Sequence, residues 1–310
     1  MPDFILYDGD PIAVPAFRII AIIDGDIHGE RNRQILTSIY AKFETLFGES
    51  ANVTSYNFPG YTGKIRWTNP KIIEDGRSFF QNESTEYGQG IRRYGYALDS
   101  FKEPALPFFG IEQRSYFNFL EIAIPEHNSS LMDFADFVTE QLINAPVITG
   151  VMGMGFFLPP YKSSLQFVMG GTAARYRAAI DVTPDMLMEG IRKEGSAYRW
   201  KPGEQAGVGD VGWRTFVGAE FWDRLPHQTE INETPNVETK KTDSVLCITA
   251  GERPIWGDVN KGEDIGAYKA VARYLAPVRM PHGALEAFGF GGTGTPEHKD
   301  KVEAYLTRFD

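Results

Sequence analysis

The sequence predicts an α/β (α+β) fold, with mixed β-sheets packed against helices and built from repeated β-α-β units. A continuous apolar run, FRIIAII at 17–23, is rich in β-branched residues, which is typical of a strand covered on both faces. Apolar residues then recur at helical spacing over 35–47. The same order of strand and helix returns at 116–142, so we expect two α/β halves of similar size.

The first unit, residues 17–58, contains a clear helix and a second strand. Gly48 stands where the helix should end, because glycine is favoured just after a helix C-terminus. The segment NVTSYNF at 52–58 alternates as a strand does. The apolar stripe of the helix consists of Ile35, Leu36, Ile39, Tyr40, Phe43, Leu46 and Phe47.

The second unit repeats this layout, which suggests an internal duplication. YFNFLEIAI at 116–124 predicts a strand, and Ser129 and Ser130 are candidate N-caps for the helix that follows. VITGVMGMGFF at 147–157 predicts the next strand, in which the glycines indicate close packing of another backbone. The helix would bury Leu131, Phe134, Ala135, Val138 and Leu142.

The remainder of the chain mixes short strands with loops. Residues 212–225 predict a short strand that runs into a helical turn, and 244–251 predict a central strand. The polar stretch between them, 226–243, predicts a surface loop that contains a short strand.

Two more helices are predicted near the end of the chain. We also predict a division of the chain near its midpoint. Asp264 can cap a helix that Pro277 ends, and a last helix is expected to start at Thr295. The expected division is an N-terminal α/β half at 1–158 and a C-terminal α/β half at 159–310, with one compact domain as the alternative.

Composition restricts the classes of partner. The 310 residues include 41 acidic and 31 basic side chains, a formal net charge of -10, which disfavours nucleic acid and anionic membranes as partners because both attract basic surfaces. A basic protein partner fits this charge, although acidic surfaces also serve solubility alone.

The N-terminus and the cysteine count predict a cytoplasmic protein. The first residues have no basic leader, and the apolar run IIAII is far shorter than the roughly 20 residues that a membrane helix needs. The single cysteine, Cys247, excludes an internal disulfide. Because it lies in the apolar run VLCITA, we assign it to the core.

The string GDIHG at 25–29 resembles a motif of the calcineurin-like metallophosphoesterases. Asp26 and His28 follow a predicted buried strand, where α/β enzymes place ligands. Such a two-metal site needs several further Asp, Asn and His ligands in their own motifs. Here the other histidines are His127, His227, His282 and His298, and none of them lies in such a motif. We therefore interpret the string as a loop before a helix and keep a metal-dependent phosphoesterase as the alternative function.

Other catalytic patterns are weaker. The glycine-rich stretch FGFGGTGTPEHK at 288–299 lacks the Lys-Ser/Thr ending of a phosphate-binding loop, so we interpret it as a flexible connector. The sequence contains no complete catalytic motif. We therefore predict a protein that is not an enzyme, with no catalytic residues, no metal and no other cofactor.

Four strings in the C-terminal third resemble the TsiV family of type VI secretion immunity proteins. They are VGDVGWRTFVGAEFWDRL at 208–225, CITAGERPIWGDVN at 247–260, YKAVARYLAPVRMPHG at 268–283 and YLTRFD at 305–310. The resemblance is strongest over 208–310 and depends on the order and spacing of these strings. It implies an inhibitor that binds and neutralises a cognate toxin effector, a nuclease of restriction-endonuclease-like fold, in the cytoplasm.

An acidic inhibitor can cover the basic DNA cleft of a nuclease. The loop around Trp256 is the first candidate surface, because Glu252, Asp258, Glu263 and Asp264 flank one aromatic residue between a strand and a helix. A solvated connection with a packed tryptophan is the competing interpretation.

A second candidate surface is the acidic loop that contains Asp24, Asp26 and Glu30. Its carboxylates are also explained by the positive end of the following helix dipole. The sequence gives no prediction of the oligomeric state.

Overall fold

The computed structural model describes residues 2–83, 88–95, 104–114, 117–191, 198–285 and 296–310. Of residues 296–299 and 302 only the backbone is described. Of the predicted connector at 288–299, residues 288–295, including Thr295, lie outside the described residues, and residues 296–299 are helical.

Within these residues, twelve strands form a single sheet. The strands are β1 (Ile5–Tyr7), β2 (Asp10–Asp24), β3 (Val53–Phe58), β4 (Tyr61–Thr62), β5 (Arg66–Trp67), β6 (Gly90–Tyr94), β7 (Phe108–Arg114), β8 (Phe117–Ile124), β9 (Val147–Phe157), β10 (Arg214–Gly218), β11 (Val237–Lys241) and β12 (Val245–Ala250). Their order across the sheet is β11-β12-β10-β9-β2-β8-β7-β6-β3-β4, with β1 paired to β2 and β5 paired to β3.

Helices connect and cover the strands. The α-helices of the described part are α1 (Glu30–Phe47), α2 (Pro70–Arg77), α3 (Leu131–Leu142), α4 (Pro184–Glu189), α5 (Gln228–Asn232), α6 (Gly266–Tyr274), α7 (His282–Leu285) and α8 (Pro296–Leu306). None of these helices, all within the described ranges, is long and apolar enough to cross a membrane.

Most predicted elements are confirmed. The apolar run at 17–23 lies in β2, where every residue from Phe17 to Ile23 is fully buried. The predicted helix ends at Gly48, whose backbone N–H donates to the Glu44 carbonyl. In the C-terminal part, β10 runs directly into the 3₁₀ turn Ala219–Arg224, as predicted.

The α+β class is confirmed, but the mixed sheets and the repeated β-α-β units are not. Every ladder between the named strands is antiparallel. The strands joined by a helix are not neighbours, because β2 separates β8 from β9, and three strands separate β2 from β3. A central strand is apolar on both faces whether its neighbours are antiparallel strands from distant parts of the chain or parallel strands of a β-α-β unit. The sequence pattern therefore did not distinguish these two arrangements.

One sheet also crosses the expected boundary between residues 158 and 159. Strand β9, before the boundary, pairs with β10, after it, from Thr149 to Met152. The two similar-sized halves are therefore not confirmed, and the division into two domains stays a prediction.

Helices α1 and α3 pack side by side on one face of the sheet. The Phe134 ring of α3 lies 5.4 Å from the Phe47 ring and 6.5 Å from the Phe43 ring of α1. The Phe43 ring also lies 5.2 Å from Phe109 of β7. Because these rings are buried, this face is an apolar core of the kind that drives folding.

On the opposite face, the segment after β9 crosses the sheet at very short distance. A Cβ atom at Gly155 would lie 2.1 Å from the Ile180 carbonyl oxygen, so a side chain at this position would displace the crossing segment. The predicted close approach of another backbone is confirmed here. This segment covers one half of the face.

The C-terminal segment is tied to this covered half by buried polar bonds. Arg308 forms an ion pair with Asp210 at 2.5 Å, and both side chains are almost inaccessible to water. The Tyr305 hydroxyl donates to Asp210 at 2.6 Å and accepts a hydrogen bond from the Asp181 backbone N–H at 3.0 Å. The end of the chain is thus held by charged groups rather than by apolar contact alone.

Candidate functional site

The aromatic residue of the first predicted surface is a packing residue in the free protein. Trp256 is 7% exposed, and its indole Nε1 donates to Glu126 at 2.6 Å. Its ring lies 5.2 Å from Phe156 and 5.6 Å from Tyr176. Trp256 therefore holds the loop against the end of β9 and offers little of its own surface.

The acidic residues around Trp256 divide into buried and exposed groups. Asp258 is buried and accepts hydrogen bonds from Arg175 at 3.1 and 3.2 Å. Its backbone N–H donates to Glu263 at 2.9 Å, so Glu263, which is half-buried, shapes the loop. Glu252 and Asp264 are exposed. The loop's accessible negative charge is therefore mainly that of Glu252 and Asp264.

The second acidic loop follows β2 and is held by hydrogen bonds of its own residues. Asp24 and Glu30 are exposed. Asp26 accepts a hydrogen bond from the His28 backbone N–H at 2.9 Å. The Asn32 amide donates to the Asp24 and Asp26 carbonyls at 2.9 and 3.0 Å, which closes the loop over the start of α1.

The two acidic loops lie at opposite ends of the sheet. Trp256 contacts Phe156, which pairs with Pro15 near the beginning of β2, whereas Asp24 is the last residue of that strand. With a rise of roughly 3.3 Å per residue, the loops are on the order of 30 Å apart along β2. The predicted residues therefore form two separate surfaces.

His28 is built into the core rather than into a metal site. It is 6% exposed, its Nε2 lies 3.3 Å from the Gln89 side-chain oxygen, and its ring lies 5.2 Å from Phe79. Burial lowers the pKa of His28, which favours the neutral imidazole. The described residues contain no group of three or more His, Cys, Asp and Glu that could hold a metal ion. The phosphoesterase alternative is thus not supported.

A cavity that we did not predict opens on the face opposite α1 and α3. It has a volume of about 350 Å³ and lies over β3, β6, β7 and β8, beside the half that the crossing segment covers. Its walls come from residues 157–166 and 183–185. Phe108, Phe119 and Phe157 give it aromatic surface. A concave, partly aromatic cavity of this size is typical of a binding site.

A row of three residues forms the floor. Arg92, Gly110 and Glu121 lie directly opposite one another on β6, β7 and β8. Because Gly110 has no side chain, the edge of the Phe108 ring occupies the space between the two charged residues. A Cβ atom at Gly110 would lie 2.8 Å from this ring. The row thus places a cation and an anion on either side of an apolar floor.

Glu121 is the most buried charged residue of the cavity. It is 7% exposed, and one carboxylate oxygen, Oε1, accepts a hydrogen bond from Arg18 at 2.7 Å. Arg18 is fully buried and also donates to the Ile180 carbonyl at 2.9 Å. Burial raises the pKa of Glu121, opposed by the charge of Arg18 and assisted by that of Asp185. Within the described residues, its second oxygen, Oε2, has no hydrogen-bond partner in the protein.

The other charged groups of the cavity pair with one another. Glu112 accepts from Arg114 at 2.7 and 3.2 Å and from Arg92 at 3.0 Å. Burial alone would raise the pKa of Glu112, but the hydrogen bonds and charges of the two arginines lower it, so this carboxylate is ionised. Arg114 also pairs with Asp185 and lies over the Phe119 ring, 5.0 Å from its centre. The side chain of Arg92 is 40% exposed at the mouth.

Sequence reasoning missed this cavity because β6 and β7 were not predicted, and because Glu121 lies in a strand that is otherwise mostly apolar. Glu121 is flanked by Leu120 and Ile122 in the run FNFLEIAI. The available signal was the period of two, since residues at alternate positions of a strand point to opposite faces. Glu121 of β8 and Glu112 of β7, which lies opposite Phe119, share a face that Leu120 and Ile122 do not.

Comparison with known proteins identifies the fold. The structure is similar to that of a Pseudomonas aeruginosa type VI secretion system (T6SS) protein, PA0821, with a TM-score of 0.64 and 15% sequence identity, covering 95% of this chain and 89% of that one. A likeness at this identity shows that the two proteins share a fold.

A second solved structure matches a smaller part of the chain. It contains the toxic C-terminal tip of CdiA from Pseudomonas aeruginosa in complex with an immune protein, and it matches at 10% identity over 48% of this chain and 89% of that one. The TM-score of 0.24 is too low to indicate a common fold. No protein-family model matches the sequence, and neither does any curated protein.

Proposed function

We propose that this chain is an immunity protein that binds and neutralises a cognate type VI secretion toxin in the cytoplasm, and that the toxin is a nuclease. The observation that supports this most is the fold, which agrees with that of a type VI secretion protein over 95% of the chain. The resemblance of the C-terminal third to the TsiV family supports two further parts of the proposal, the immunity role and a nuclease as the toxin.

The charge of the protein is consistent with this role. A net charge of -10 would favour rapid encounter with the basic DNA-binding surface of a nuclease. Immunity must compete with abundant DNA, so we expect a Kd in the nanomolar range or below, which corresponds to about -12 kcal/mol or beyond.

The 252–264 loop is the surface that we propose for the encounter. Glu252 and Asp264 project their charges to solvent, while Trp256 and Asp258 fix the loop from within. A rigid loop loses little conformational entropy on binding, so its charges are presented at low cost.

Co-expression with the effector encoded beside this gene tests the function. We expect full protection of cell growth and a stable complex of the purified proteins. If the purified protein neither binds nor neutralises that effector, the proposed function is wrong.

Two matched charge reversals test the surface. The pair Glu252→Lys and Asp264→Lys should weaken toxin binding by roughly 10-fold to 100-fold, mainly through a slower association rate. The pair Asp24→Lys and Glu30→Lys makes the same change in net charge at the other end of the sheet, and all four residues are exposed. Equal effects of the two pairs would contradict a specific role of the 252–264 loop.

A further inference from the structure

We propose that the β1–β2 hairpin, residues 3–13, is the apolar anchor of the complex with the toxin. Phe4 and Leu6 pack against an apolar patch of the toxin, and the aspartates beside them face basic side chains around that patch. This inference depends on the proposed function for the identity of the partner. It adds the contacts that hold the complex together beside the loop that we propose for the encounter.

The first step of the argument is the exposure of Phe4 and Leu6. Their side chains are 46% and 57% exposed. Ile5, between them, is buried in the core, which leaves Phe4 and Leu6 on the solvent side of β1. One exposed apolar residue is ordinary, but large apolar residues exposed next to each other form a patch of the kind that marks an interaction site.

The second step is the rigidity of the hairpin. Asp8 and Gly9 have φ values of 52° and 87°, which is the conformation of a tight two-residue hairpin turn. Tyr7 pairs with Asp10 across this turn, and the Tyr7 ring meets the Phe167 ring edge to face at 5.5 Å. An ordered hairpin loses little conformational entropy when its side chains pack against a partner.

The third step is the position of β1 at an edge of the sheet. Among the described strands, β1 pairs with β2 alone, through residues 5–7. An edge strand with exposed apolar side chains tends to associate with another chain, and flanking charges restrict which chain that is. Here the charges are aspartates, because Asp3, Asp8 and Asp10 are exposed and the first basic residue of the sequence, Arg18, is fully buried.

The sign of these charges favours the toxin over a second copy of this chain. Two copies of the hairpin would bring aspartates together, and each molecule carries a net charge of -10, so like charges oppose such a dimer. The basic surface of a nuclease is attracted instead. The apolar pair then supplies the contact energy, and the aspartates orient the partner.

The fourth step is the contact between the hairpin and the 252–264 loop. The hydrogen bonds that Arg175 donates to Asp258 raise the pKa of Arg175, and the negative charge of Asp3 acts in the same direction, so Asp3 lies near this ion pair. The Arg175 carbonyl accepts from the Val259 N–H at 2.9 Å, and the Val259 side chain is 47% exposed. One toxin surface can therefore contact the loop and the hairpin together.

The experiment compares alanine variants of the full-length protein. Phe4→Ala combined with Leu6→Ala removes the apolar patch. Leu6→Ala alone is matched by Met132→Ala, which shortens an aliphatic side chain that is 36% exposed on α3. Because all three side chains are exposed, we expect similar urea midpoints for the variants and the wild type.

Toxin binding is the first measurement. The double variant should raise the Kd by at least ~100-fold, mainly through faster dissociation, because packed apolar anchors hold a complex after it has formed. Leu6→Ala alone should raise the Kd by roughly 10-fold, and Met132→Ala should bind like the wild type. If the wild type binds the toxin and the double variant binds equally well, the hairpin inference is wrong and the proposed function stands. If the wild type does not bind, the proposed function fails and this inference fails with it.

Photo-cross-linking identifies the occupant without removing the patch. The photoreactive residue p-benzoylphenylalanine, placed at Leu6, should cross-link to the toxin in the purified complex, whereas the same residue at Met132 should not. Failure to capture the toxin from Leu6 would contradict the inference. A dimer of the isolated wild type that the double variant dissolves would assign the patch to a second copy of this chain and would contradict it as well.

Discussion

The two faces of the sheet bury their residues in different ways. Arg92 and Arg93 are adjacent on β6 and point to opposite faces. Arg93 lies under α1, is 1% exposed, and donates to Glu44 at 2.6 Å and to the Ala51 carbonyl at 2.8 Å. Arg92 lies at the mouth of the cavity and has one ion pair, with Glu112. The comparison shows that the helix-covered face buries its charged groups together with their partners, which stabilises the fold. Half of the other face is open, and its charged groups line a cavity.

The largest effect should follow from a cavity in the helix-covered face. Phe43 is fully buried between α1, α3 and β7. Phe43→Ala should lower the free energy of unfolding by about 3–5 kcal/mol, because it removes apolar contact and leaves a void. Urea unfolding of the variant and the wild type measures this difference in the free energy of unfolding. Met132→Ala, at a residue that is 36% exposed on α3, is the control and should cost under ~0.5 kcal/mol. Equal losses would contradict the assigned core.

The next effect compares the two arginines directly. Arg93→Gln should cost about 3 kcal/mol, because it leaves the Ala51 carbonyl without its buried donor and removes the most buried of the three side chains that donate to the Glu44 carboxylate, the others being Tyr40 and Arg77. Arg92→Gln should cost under ~1 kcal/mol, because its ion pair is partly exposed. Chemical unfolding of both variants under the same conditions provides the measurement. A larger loss for Arg92→Gln would reverse the comparison of the two faces.

The smallest effect concerns the covered half of the second face and depends on pH. Burial raises the pKa of Asp181 to about 6, although the charges of Arg18 and Arg308 oppose this. The folded state therefore binds the proton more tightly than the unfolded state. Its contribution to stability is fully present below the unfolded pKa and is lost as the pH rises through about 6.

Asp181→Asn should remove this pH dependence and stabilise the protein by about 1–3 kcal/mol at pH 8. The amide oxygen can still accept the Gly170 N–H that Asp181 accepts at 3.1 Å. Thermal unfolding at pH 5 and pH 8 provides the measurement for both proteins. If the wild type loses no stability between these pH values relative to Asp181→Asn, the carboxyl is not the titrating group.

The predictable part of the fold was the part with a local signal. The periodicity of residues 35–47 and the glycine that follows them located α1, and the run at 17–23 located β2. Strand order was not predictable, because β2 pairs with β8 and β9 through contacts between residues 93 to 143 positions apart in the sequence.

The candidate site was predicted in part. The acidic residues near Trp256 could be named, but the sequence did not reveal that Asp258 is buried by Arg175, which lies 83 positions earlier in the chain. Whether a carboxylate is a surface charge or an internal ligand depends on which distant side chain reaches it.

The sequence by itself determined the helices α1, α3, α6 and α8, the strands β2, β3, β8, β9, β10, β11 and β12, the acidic net charge and the burial of the apolar residues, because each follows from local spacing and composition. Only the tertiary structure decided that twelve described strands form one antiparallel sheet and that Arg92, Gly110 and Glu121 meet in a row across it. Hydrogen bonds between strands join segments that are far apart in the sequence, and local patterns carry no information about which segments will meet.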